Sequence, residues 1–276
     1  MNIKTETVSA LMAVYSGTNV TWFNEALKSL LAQTVPVDEI VVVADGPCDA
    51  GLRSEVDNHS DVPIRFLQRE RNQGLGAALA FGVEQCVGTW ILRMDDDDVS
   101  VADRLALQRK FLADNPNIDV CGGQIEERAA DMLTVHGIRH CPMQHNDIVA
   151  AHNFRNAMNH VTVMARRDAI LAAGNYRSGT IGYEDYDLWF RMMRKGHRFA
   201  NIEDRLVLVR FSDQQVKSRR GMKATIFEIK MQTGFYRQGH IGVLIMMFNI
   251  VWRALPRLLP AKTLSRLMQS RMRDKD

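Results

Sequence analysis

Short apolar runs alternate with segments of helical periodicity along the first hundred residues. The apolar run over residues 8–15 predicts a buried strand. From Phe23 to Leu31 apolar residues recur at helical spacing, and Pro36 closes this predicted helix. The order then repeats, with strands predicted over 40–44, 63–67 and 89–94 and a further helix over 77–86. Repeated βα units predict an α/β fold, in which helices cover both faces of a mostly parallel central sheet.

The second half of the chain carries a weaker pattern. Ser100 and Asp103 have the spacing of a capping box and predict a helix start ahead of the apolar residues up to Leu112. The next predicted elements are strands over 118–121 and 161–165 and a helix over 186–194. Beyond about residue 215 the pattern predicts helices, apart from one candidate strand over 241–247. We therefore predict an α/β domain over residues 1–215 and a C-terminal helical, basic, amphipathic extension over residues 216–276.

Composition excludes several classes of protein. The chain has 276 residues, of which 46% are hydrophobic and 24% charged, so it can bury a full core and is neither disordered nor a coiled coil. Apolar runs stay below the roughly 18 residues that span a bilayer, and the N-terminus lacks the apolar core of a secretion signal. Four widely spaced cysteines form no Cys-x-x-Cys pair, which fits a reducing compartment. The sequence thus predicts a cytoplasmic protein.

Charge is unevenly distributed along the chain. The net charge is +3, but residues 253–276 alone carry +5, so the rest of the chain is slightly acidic. A nucleic-acid-binding domain would carry a basic patch on its folded body, so we predict no nucleic-acid partner. After residue 240, apolar residues, Trp252 and cations are mixed, which is typical of a segment that binds an anionic membrane surface. The alternative is a helix that packs on the body or in a dimer.

Four consecutive aspartates, Asp95 to Asp98, follow the predicted strand over 89–94. Two unit charges about 5 Å apart repel by roughly 3 kcal/mol at an effective dielectric constant of about 20, so this run calls for compensating cations. In extended geometry Asp95 and Asp97 point to one side, and Asp96 and Asp98 to the other. Either pair could hold Mg²⁺ or Mn²⁺, which prefers one or two carboxylates together with phosphate oxygens. Ligands of open α/β sheets bind at this end of the strands, so we predict a metal site rather than a solvated acidic loop.

Two further features lie at predicted strand ends. Asp45 ends the second strand, and the turn at Gly46 would leave its carboxylate free to accept hydrogen bonds from a base or ribose, although Asp-Gly is also a common turn. Gly74-x-Gly76 precedes a helix and could approach a phosphate. A nicotinamide fingerprint is incomplete, because Leu79 occupies the third glycine position.

Charged residues in the second half add candidates of both signs. Glu184, Asp185 and Asp187 lie at a predicted helix N-terminus, where the helix dipole favours anions. They either cap the helix or include a general base. Arg210 begins a basic stretch that could neutralise a diphosphate leaving group or coat the surface, and its other members are Lys217, Arg219 and Arg220.

Together these segments resemble family 2 glycosyltransferases of the GT-A fold, in which a Rossmann-like, mostly parallel central sheet is flanked by helices. The resemblance covers about residues 8–215, and several motifs occur in the family's order and spacing. These motifs are LMAVY, EALKSLLAQT, DEIVVVADGP, RNQGLGAAL, RMDDDDVSVADRL, NHVTVMARRDAILAAGNY and GYEDYDLWFRM. Among relatives, the chain is most similar to bacterial transferases that build capsular polysaccharide, exopolysaccharide or O-antigen.

The resemblance implies an activity and its partners. The family transfers a sugar from a nucleoside-diphosphate sugar, with UDP expected as the nucleotide, to a hydroxyl of a glycan acceptor. It uses Mn²⁺ or Mg²⁺ and inverts the anomeric carbon by single displacement. The membrane-binding character of the segment after residue 240 predicts a peripheral location on the cytoplasmic face of the inner membrane, where a lipid-linked acceptor would lie.

The resemblance also implies roles for individual residues. Asp97 corresponds to the direct metal ligand, and Asp95 to a contact with the metal or the ribose. Asp45 is expected at the nucleobase. Asp185 corresponds to the catalytic base, with Glu184 beside it. The other donor-binding candidates are Tyr15, Asn72, Gly74 and Asp96 from the matched motifs, and Arg210 from the basic stretch.

Some positions depart from the family pattern. The usual Asp-Asp-Gly-Ser is Ala-Asp-Gly-Pro over residues 44–47, the usual Arg-Asn after the glycine loop is Leu79-Ala80, and no Gln-x-x-Arg-Trp follows, which disfavours processive synthesis. Two alternatives remain. A sugar nucleotidylyltransferase would share the sheet but should carry cations after its first strand, where residues 15–19 have none. A non-catalytic nucleotide-sugar-binding protein would keep Asp45 without needing Asp185.

Overall fold

The computed structural model describes residues 6–58, 62–180, 182–211, 221–254, 257 and 273–274. The strands in these residues are β1 (Val8–Val14), β2 (Glu39–Ala44), β3 (Ile64–Gln68), β4 (Trp90–Arg93), β5 (Val99–Ser100), β6 (Val120–Arg128), β7 (Val135–Arg139), β8 (Met164–Arg166), β9 (Phe199–Arg210) and β10 (Arg273–Asp274). The α-helices are α1 (Val20–Leu31), α2 (Ala50–Asp57), α3 (Leu75–Gln85), α4 (Arg104–Asp114), α5 (His145–His152), α6 (Arg167–Ala172), α7 (Glu184–Arg194), α8 (Gly221–Arg237) and α9 (Val243–Asn249). A 3₁₀ turn spans His160–Thr162, and a π-helical turn spans Ile250–Ala254.

The first four long strands form the parallel half of one sheet, in the order β3-β2-β1-β4. Strand β2 is buried at all of its positions, as expected for a strand that is covered on both faces. The α/β architecture and the parallel pairing predicted from the repeated βα units are confirmed here.

Beyond β4 the sheet becomes mixed. Strand β8 is antiparallel to β4 and to β6, whereas β9 runs parallel to β6 and antiparallel to β5. The prediction of a mostly parallel sheet therefore applies to β1–β4. Strands β5 and β8 are too short for the sequence pattern to indicate how they pair. The candidate strand over 241–247 was wrong, since these residues belong largely to α9. The capping box was wrong as well, because Ser100 lies in β5 and Asp103, at the N-cap of α4, makes no side-chain cap hydrogen bond.

Two apolar clusters lie on opposite faces of the sheet. Met12 and Val42 pack in the cluster under α1, α2 and α4, while Leu11 and Val43 pack in the cluster under α3, α6 and α7. This alternation follows the two-residue period of a strand. Ile91 of β4 belongs to the second cluster. The side chains of Arg93 and Asp95, two and four residues later, therefore lie on the face of the sheet that α7 covers.

The C-terminal helices are docked on the α/β body. Helix α8 packs against α7 through a small cluster in which the rings of Tyr186 and Phe235 lie 4.8 Å apart. Buried Glu228 of α8 forms ion pairs with Arg253 at 2.6 Å and with Arg257 at 2.7 Å. The predicted division at residue 215 lies outside the described residues. Among the helices that the structure describes, none has both the length and the hydropathy that crossing a membrane requires.

Two helical glycines provide a test of this packing. A Cβ on Gly82 of α3 would overlap Leu11 of β1 and would lie 3.1 Å from Val43 Cγ2, whereas a Cβ on Gly234 of α8 meets nothing within 4 Å. Overpacking costs about 1–3 kcal/mol, while replacing a helical glycine by alanine gains about 0.5–1 kcal/mol. We expect Gly82→Ala to destabilise the protein by about 1–2 kcal/mol and Gly234→Ala to stabilise it by about 0.5–1 kcal/mol in urea unfolding. An unchanged or raised midpoint for Gly82→Ala would contradict the close contact between α3 and the sheet.

Candidate active site

The acidic turn Asp95–Asp98 lies at the carboxyl end of β4 and is fixed from β9. The backbone N–H of Arg210 donates to Asp98 Oδ1 at 2.8 Å, and Arg210 Nη1 donates to the carbonyl of Asp97 at 3.0 Å. Asp98 is only 3% exposed, so it holds the turn in place rather than facing a ligand.

Thr18, which sequence reasoning missed, ties the acidic turn to the end of β1. Its hydroxyl donates to the carboxylate of Asp96 and accepts from the backbone N–H of Tyr15 at 3.0 Å. The Tyr15 ring is 49% exposed and lies over Gly17, where a Cβ would come within 2.5 Å of ring carbon Cε2. Asp96 and Asp98 are thus engaged by other protein groups, Thr18 and Arg210 respectively.

Asp45 is buried and fully engaged at the end of β2. Its carboxylate accepts from Arg69 Nη1 at 2.5 Å, from the backbone N–H of Gln73 at 3.1 Å, and from the backbone N–H of Gly74 at 2.7 Å. Since the Gln73 N–H also reaches Oδ1, each carboxylate oxygen has two donors. The expectation that the Gly46 turn leaves this carboxylate free was wrong, because Asp45 holds the glycine loop instead.

The glycine loop, residues 69–76, connects β3 to α3, and it contacts both the turn after β2 and the start of α7. Gly46 has a φ of +91°, and a Cβ there would lie 2.6 Å from the backbone nitrogen of Asn72. At the other end of the loop, a Cβ on Gly76 would lie 2.5 Å from the carbonyl oxygen of Arg177 and 3.2 Å from Glu184 Cβ. The predicted donor-binding residues Asn72 and Gly74 therefore lie on a loop whose last residue, Gly76, packs against Glu184.

Of the three carboxylates at the start of α7, two are buried and have structural partners. Glu184 accepts from the backbone N–H of Gly182 at 2.8 Å. Asp187 is fully buried and forms ion pairs with Arg191 at 2.8 Å and Arg177 at 3.5 Å.

Asp185 is the half-buried member of the three. Its Oδ2 accepts from Asn156 Nδ2 at 2.5 Å, and its Oδ1 accepts from the backbone N–H of Tyr186 at 2.8 Å. Both bonds fix the orientation of the carboxylate. Asn156 was missed by sequence reasoning, since nothing in its local pattern relates it to a residue 29 positions later.

Arg93, also missed, is a buried cation whose charge acts on both acidic groups, the turn after β4 and the start of α7. It is 3% exposed, follows Ile91 on the α7 side of the sheet, and forms an ion pair with Asp95. Burial raises the pKa of Asp185, and the guanidinium of Arg93 counteracts this rise. Burial, followed by Asp95 and Asp96, raises the pKa of Asp97 to about 7, and Arg93 again acts in the opposite direction. The charge of one buried cation therefore acts on both the acidic turn and the start of α7.

The donor set suits a divalent cation that is shared with a ligand. In the part of the chain that the structure describes, no three His, Cys, Asp or Glu side chains converge into a complete metal cage. Mg²⁺ and Mn²⁺ need only one or two carboxylates when phosphates complete the shell. Because Arg93 engages Asp95, Asp97 is the better placed direct ligand. Its raised pKa reflects burial and crowded negative charge, which a bound cation would relieve.

Arg210 does not face the site as predicted. Its side chain is 4% exposed, forms an ion pair with Glu25, and lies with its guanidinium carbon 5.2 Å from the ring centroid of Trp22. Both partners belong to α1, so this cation is already paired within the protein. Its contact with the site is through the Asp97 carbonyl. The other cations of the predicted basic stretch lie outside the described residues.

Comparisons with known proteins agree on one family. Residues 9–172 match the family described as Glycosyl transferase family 2. The chain is 33% identical over 261 residues to the UDP-Gal:alpha-D-GlcNAc-diphosphoundecaprenol beta-1,3-galactosyltransferase of Escherichia coli, with 94% of each protein covered. It is 32% identical over 273 residues to the amylovoran biosynthesis glycosyltransferase AmsE of Erwinia amylovora, with 95% of this chain and 97% of that protein covered.

Solved structures show the same fold at low sequence identity. The mannosyltransferase PcManGT from Pyrobaculum calidifontis, in complex with GDP-Man and Mn²⁺, has a TM-score of 0.64 at 16% identity, over 96% of this chain and 75% of that one. Residues 1–349 of S. aureus TarS, in complex with UDP-GlcNAc, give a TM-score of 0.61 at 18% identity over 82% of this chain. The present chain spans about two thirds of the length of that TarS chain, 66%.

Asp97→Asn tests the raised pKa of this carboxyl. The folded protein holds the Asp97 proton up to about pH 7, whereas the unfolded chain releases it near about pH 4. The carboxyl therefore contributes stability that is fully present below about pH 4 and is lost as the pH rises through about 7. Metal-free Asp97→Asn should unfold close to the wild-type temperature near about pH 4 and above it at about pH 8, as measured by calorimetry in EDTA.

Asp168→Asn is the matched control, because the Asp168 side chain is 96% exposed. Its unfolding temperature should follow that of the wild type at every pH. A constant difference between wild type and Asp97→Asn across the pH range would contradict the raised pKa.

Proposed function

The chain belongs to glycosyl transferase family 2, and from this premise we propose that it transfers a sugar from a UDP-sugar to a hydroxyl of a lipid-linked glycan during the synthesis of a bacterial cell-surface polysaccharide. The name of the E. coli relative specifies a UDP-sugar donor and a diphosphoundecaprenol-linked acceptor. The name of the Erwinia relative specifies a glycosyltransferase of amylovoran biosynthesis. Both align with this chain over nearly its whole length, which supports the same class of donor and acceptor.

One observation carries the proposal. The charge of buried Arg93 acts both on Asp97 after β4 and on Asp185 at the start of α7, so a metal-bound diphosphate and a catalytic base would lie near each other. We assign Asp97 as the direct metal ligand, with Asp95 beside it, and Asp185 as the base. A divalent cation, when bound, would balance the charge on the departing nucleoside diphosphate.

Asp185 would act on the acceptor hydroxyl. As the hydroxyl oxygen forms its bond to C1 of the sugar, the bond between C1 and the diphosphate oxygen breaks on the opposite face, and Asp185 takes the hydroxyl proton. This single displacement inverts the anomeric carbon. Burial raises the pKa of Asp185 and makes it a stronger proton acceptor than a solvated carboxylate, while Asn156 holds its orientation.

The remaining candidates are assigned by their positions. Tyr15 would line the donor side, because it follows β1, the strand that pairs with β4. The loop that carries Asn72 and Gly74 would line the same side, because Asp45 at the end of β2 binds it. Glu184 would support Asp185 by capping the turn at Gly182. Three residues act indirectly: Asp45 shapes the glycine loop, and Asp96 and Arg210 shape the acidic turn.

Family membership argues against the two alternatives. A sugar nucleotidylyltransferase is disfavoured by the match of residues 9–172 to a glycosyltransferase family. A non-catalytic binder has no use for Asp185, which is held by two hydrogen bonds and remains partly exposed. We further propose that residues 1–215 form the catalytic domain, and that the extension over 216–276 brings it to the cytoplasmic face of the inner membrane.

Two variants separate the proposed metal ligand from the proposed base. With UDP-galactose, GlcNAc-diphosphoundecaprenol and Mn²⁺, Asp185→Asn should lose about 10²–10⁴-fold in turnover but keep the rise in unfolding temperature that UDP and Mn²⁺ produce together. Asp97→Ala should lose both turnover and this rise. Asp168→Asn should retain both.

Near-wild-type turnover of Asp185→Asn would refute the base assignment. An undiminished stabilisation of Asp97→Ala by UDP and Mn²⁺ would refute the metal ligand. If the wild type transfers no galactose, a screen of other UDP-sugars and of GDP-sugars by Mn²⁺-dependent stabilisation would identify the donor.

A further inference from the structure

The C-terminal extension carries an exposed apolar face. Leu244, Met247, Phe248 and Val251 recur at the spacing of one side of a helix and are 78%, 57%, 50% and 58% exposed. Phe154 of the body, 45% exposed, extends this surface, because its ring centroid lies 5.8 Å from that of Phe248. These five side chains are called the outer face. A contiguous exposed patch of large apolar side chains marks an interaction site.

The outer face is tied to one short segment of the body, residues 152–156, which we call the joint. Asn249 Nδ2 donates to the carbonyl of Asn153 at 2.9 Å, and Arg253 Nη1 donates to the carbonyl of Phe154 at 2.8 Å. Asn249 is 1% exposed, so its hydrogen bond to the joint is shielded from water. The extension therefore holds the joint by its backbone.

The other end of the joint reaches the proposed base. Buried His152 donates from Nε2 to the carbonyl of Tyr186 at 3.2 Å, and the Tyr186 hydroxyl donates to the carbonyl of His152 at 2.7 Å. Asn156, at the end of the joint, donates to Asp185 Oδ2. Five consecutive residues thus connect the outer face to the orientation of Asp185.

Charge identifies the occupant of the outer face. Arg155, within the joint, is exposed, whereas Arg253 at the edge of the face is already paired with Glu228. The sequence after residue 254 adds six basic residues against two acidic ones. An exposed apolar face beside Arg155, in a chain whose last part has a net positive charge, fits the surface of an anionic bilayer, into which apolar side chains insert while cations meet the lipid headgroups.

We propose that an anionic bilayer binds the outer face and that this contact fixes the joint, so that Asn156 holds Asp185 in its working orientation. The membrane then acts as a ligand that completes the active site, and the extension does more than anchor the protein. This inference rests on the proposed function of Asp185. It gives an enzyme with a lipid-linked acceptor a reason to work at the surface where that acceptor lies.

The first test is vesicle flotation without donor or acceptor, using about 30% phosphatidylglycerol in phosphatidylcholine. The wild type should float with these vesicles, and the Leu244→Ser/Phe248→Ser variant should partition at least about tenfold less. Leu133→Ser is the control, because Leu133 is 82% exposed but lies outside the outer face. Equal flotation of wild type and double variant, or no flotation of the wild type, would overturn the docking surface.

The second test is hydrogen exchange of peptides that cover the joint and the first turn of α7, with and without the same vesicles. Exchange in both peptides should slow several-fold for the wild type and for Leu133→Ser, and it should stay unchanged for the double variant. Vesicle binding that leaves exchange in the joint unaltered would overturn the coupling. Neither measurement needs substrates, so failure of the proposed transfer reaction would leave these results intact, and failure here would leave the Asp185→Asn result intact.

Discussion

The site depends on one buried cation placed among carboxylates. Arg93 contacts Asp95, yet among the described residues its Nε and Nη1 have no hydrogen-bond partner. A buried charge with incomplete hydrogen bonding costs on the order of several kcal/mol unless nearby opposite charge offsets it. The aspartates after β4 and the acids that begin α7 supply that charge. Arg93 and the carboxylates are therefore interdependent, and the two halves of the site are held at one centre.

A second buried arginine supports this centre from below. Arg104, fully buried at the start of α4, donates to the carbonyl of Arg93 at 2.9 Å and to Gln108 at 3.1 Å. Burial, and then the charge of Arg93, lowers the pKa of Arg104 to about 9. The end of β4 is thus fixed by side chains from the face opposite to α7. Rigid support of this kind is what a site with several closely spaced charges needs.

The sequence allowed the βα order, the acidic turn and the start of α7 to be predicted, because each of these features is encoded locally. The partners of individual side chains were not predictable in this way. The sequence pattern predicted a free carboxylate at Asp45, but its hydrogen-bond donors come from a loop about 28 residues later. It predicted an exposed cation at Arg210, but this side chain pairs with Glu25, which is 185 positions earlier. Arg93 read as an ordinary strand end. Tertiary contacts determine the partners of these side chains, and the local hydrophobic pattern of the sequence contains no information about such contacts.

Buried Glu228 has a consequence for how this protein can be shortened. Both of its cationic partners, Arg253 and Arg257, belong to the last part of the chain, while Glu228 itself is 1% exposed. A truncation after α8 would remove both arginines. The Glu228 carboxylate would then be a buried charge without a cation, next to the apolar interface between α8 and α7. Shortened proteins would then lose solubility and activity through a damaged interior, and such losses would imitate the removal of a membrane anchor. Point substitutions on the exterior of α9 avoid that confusion.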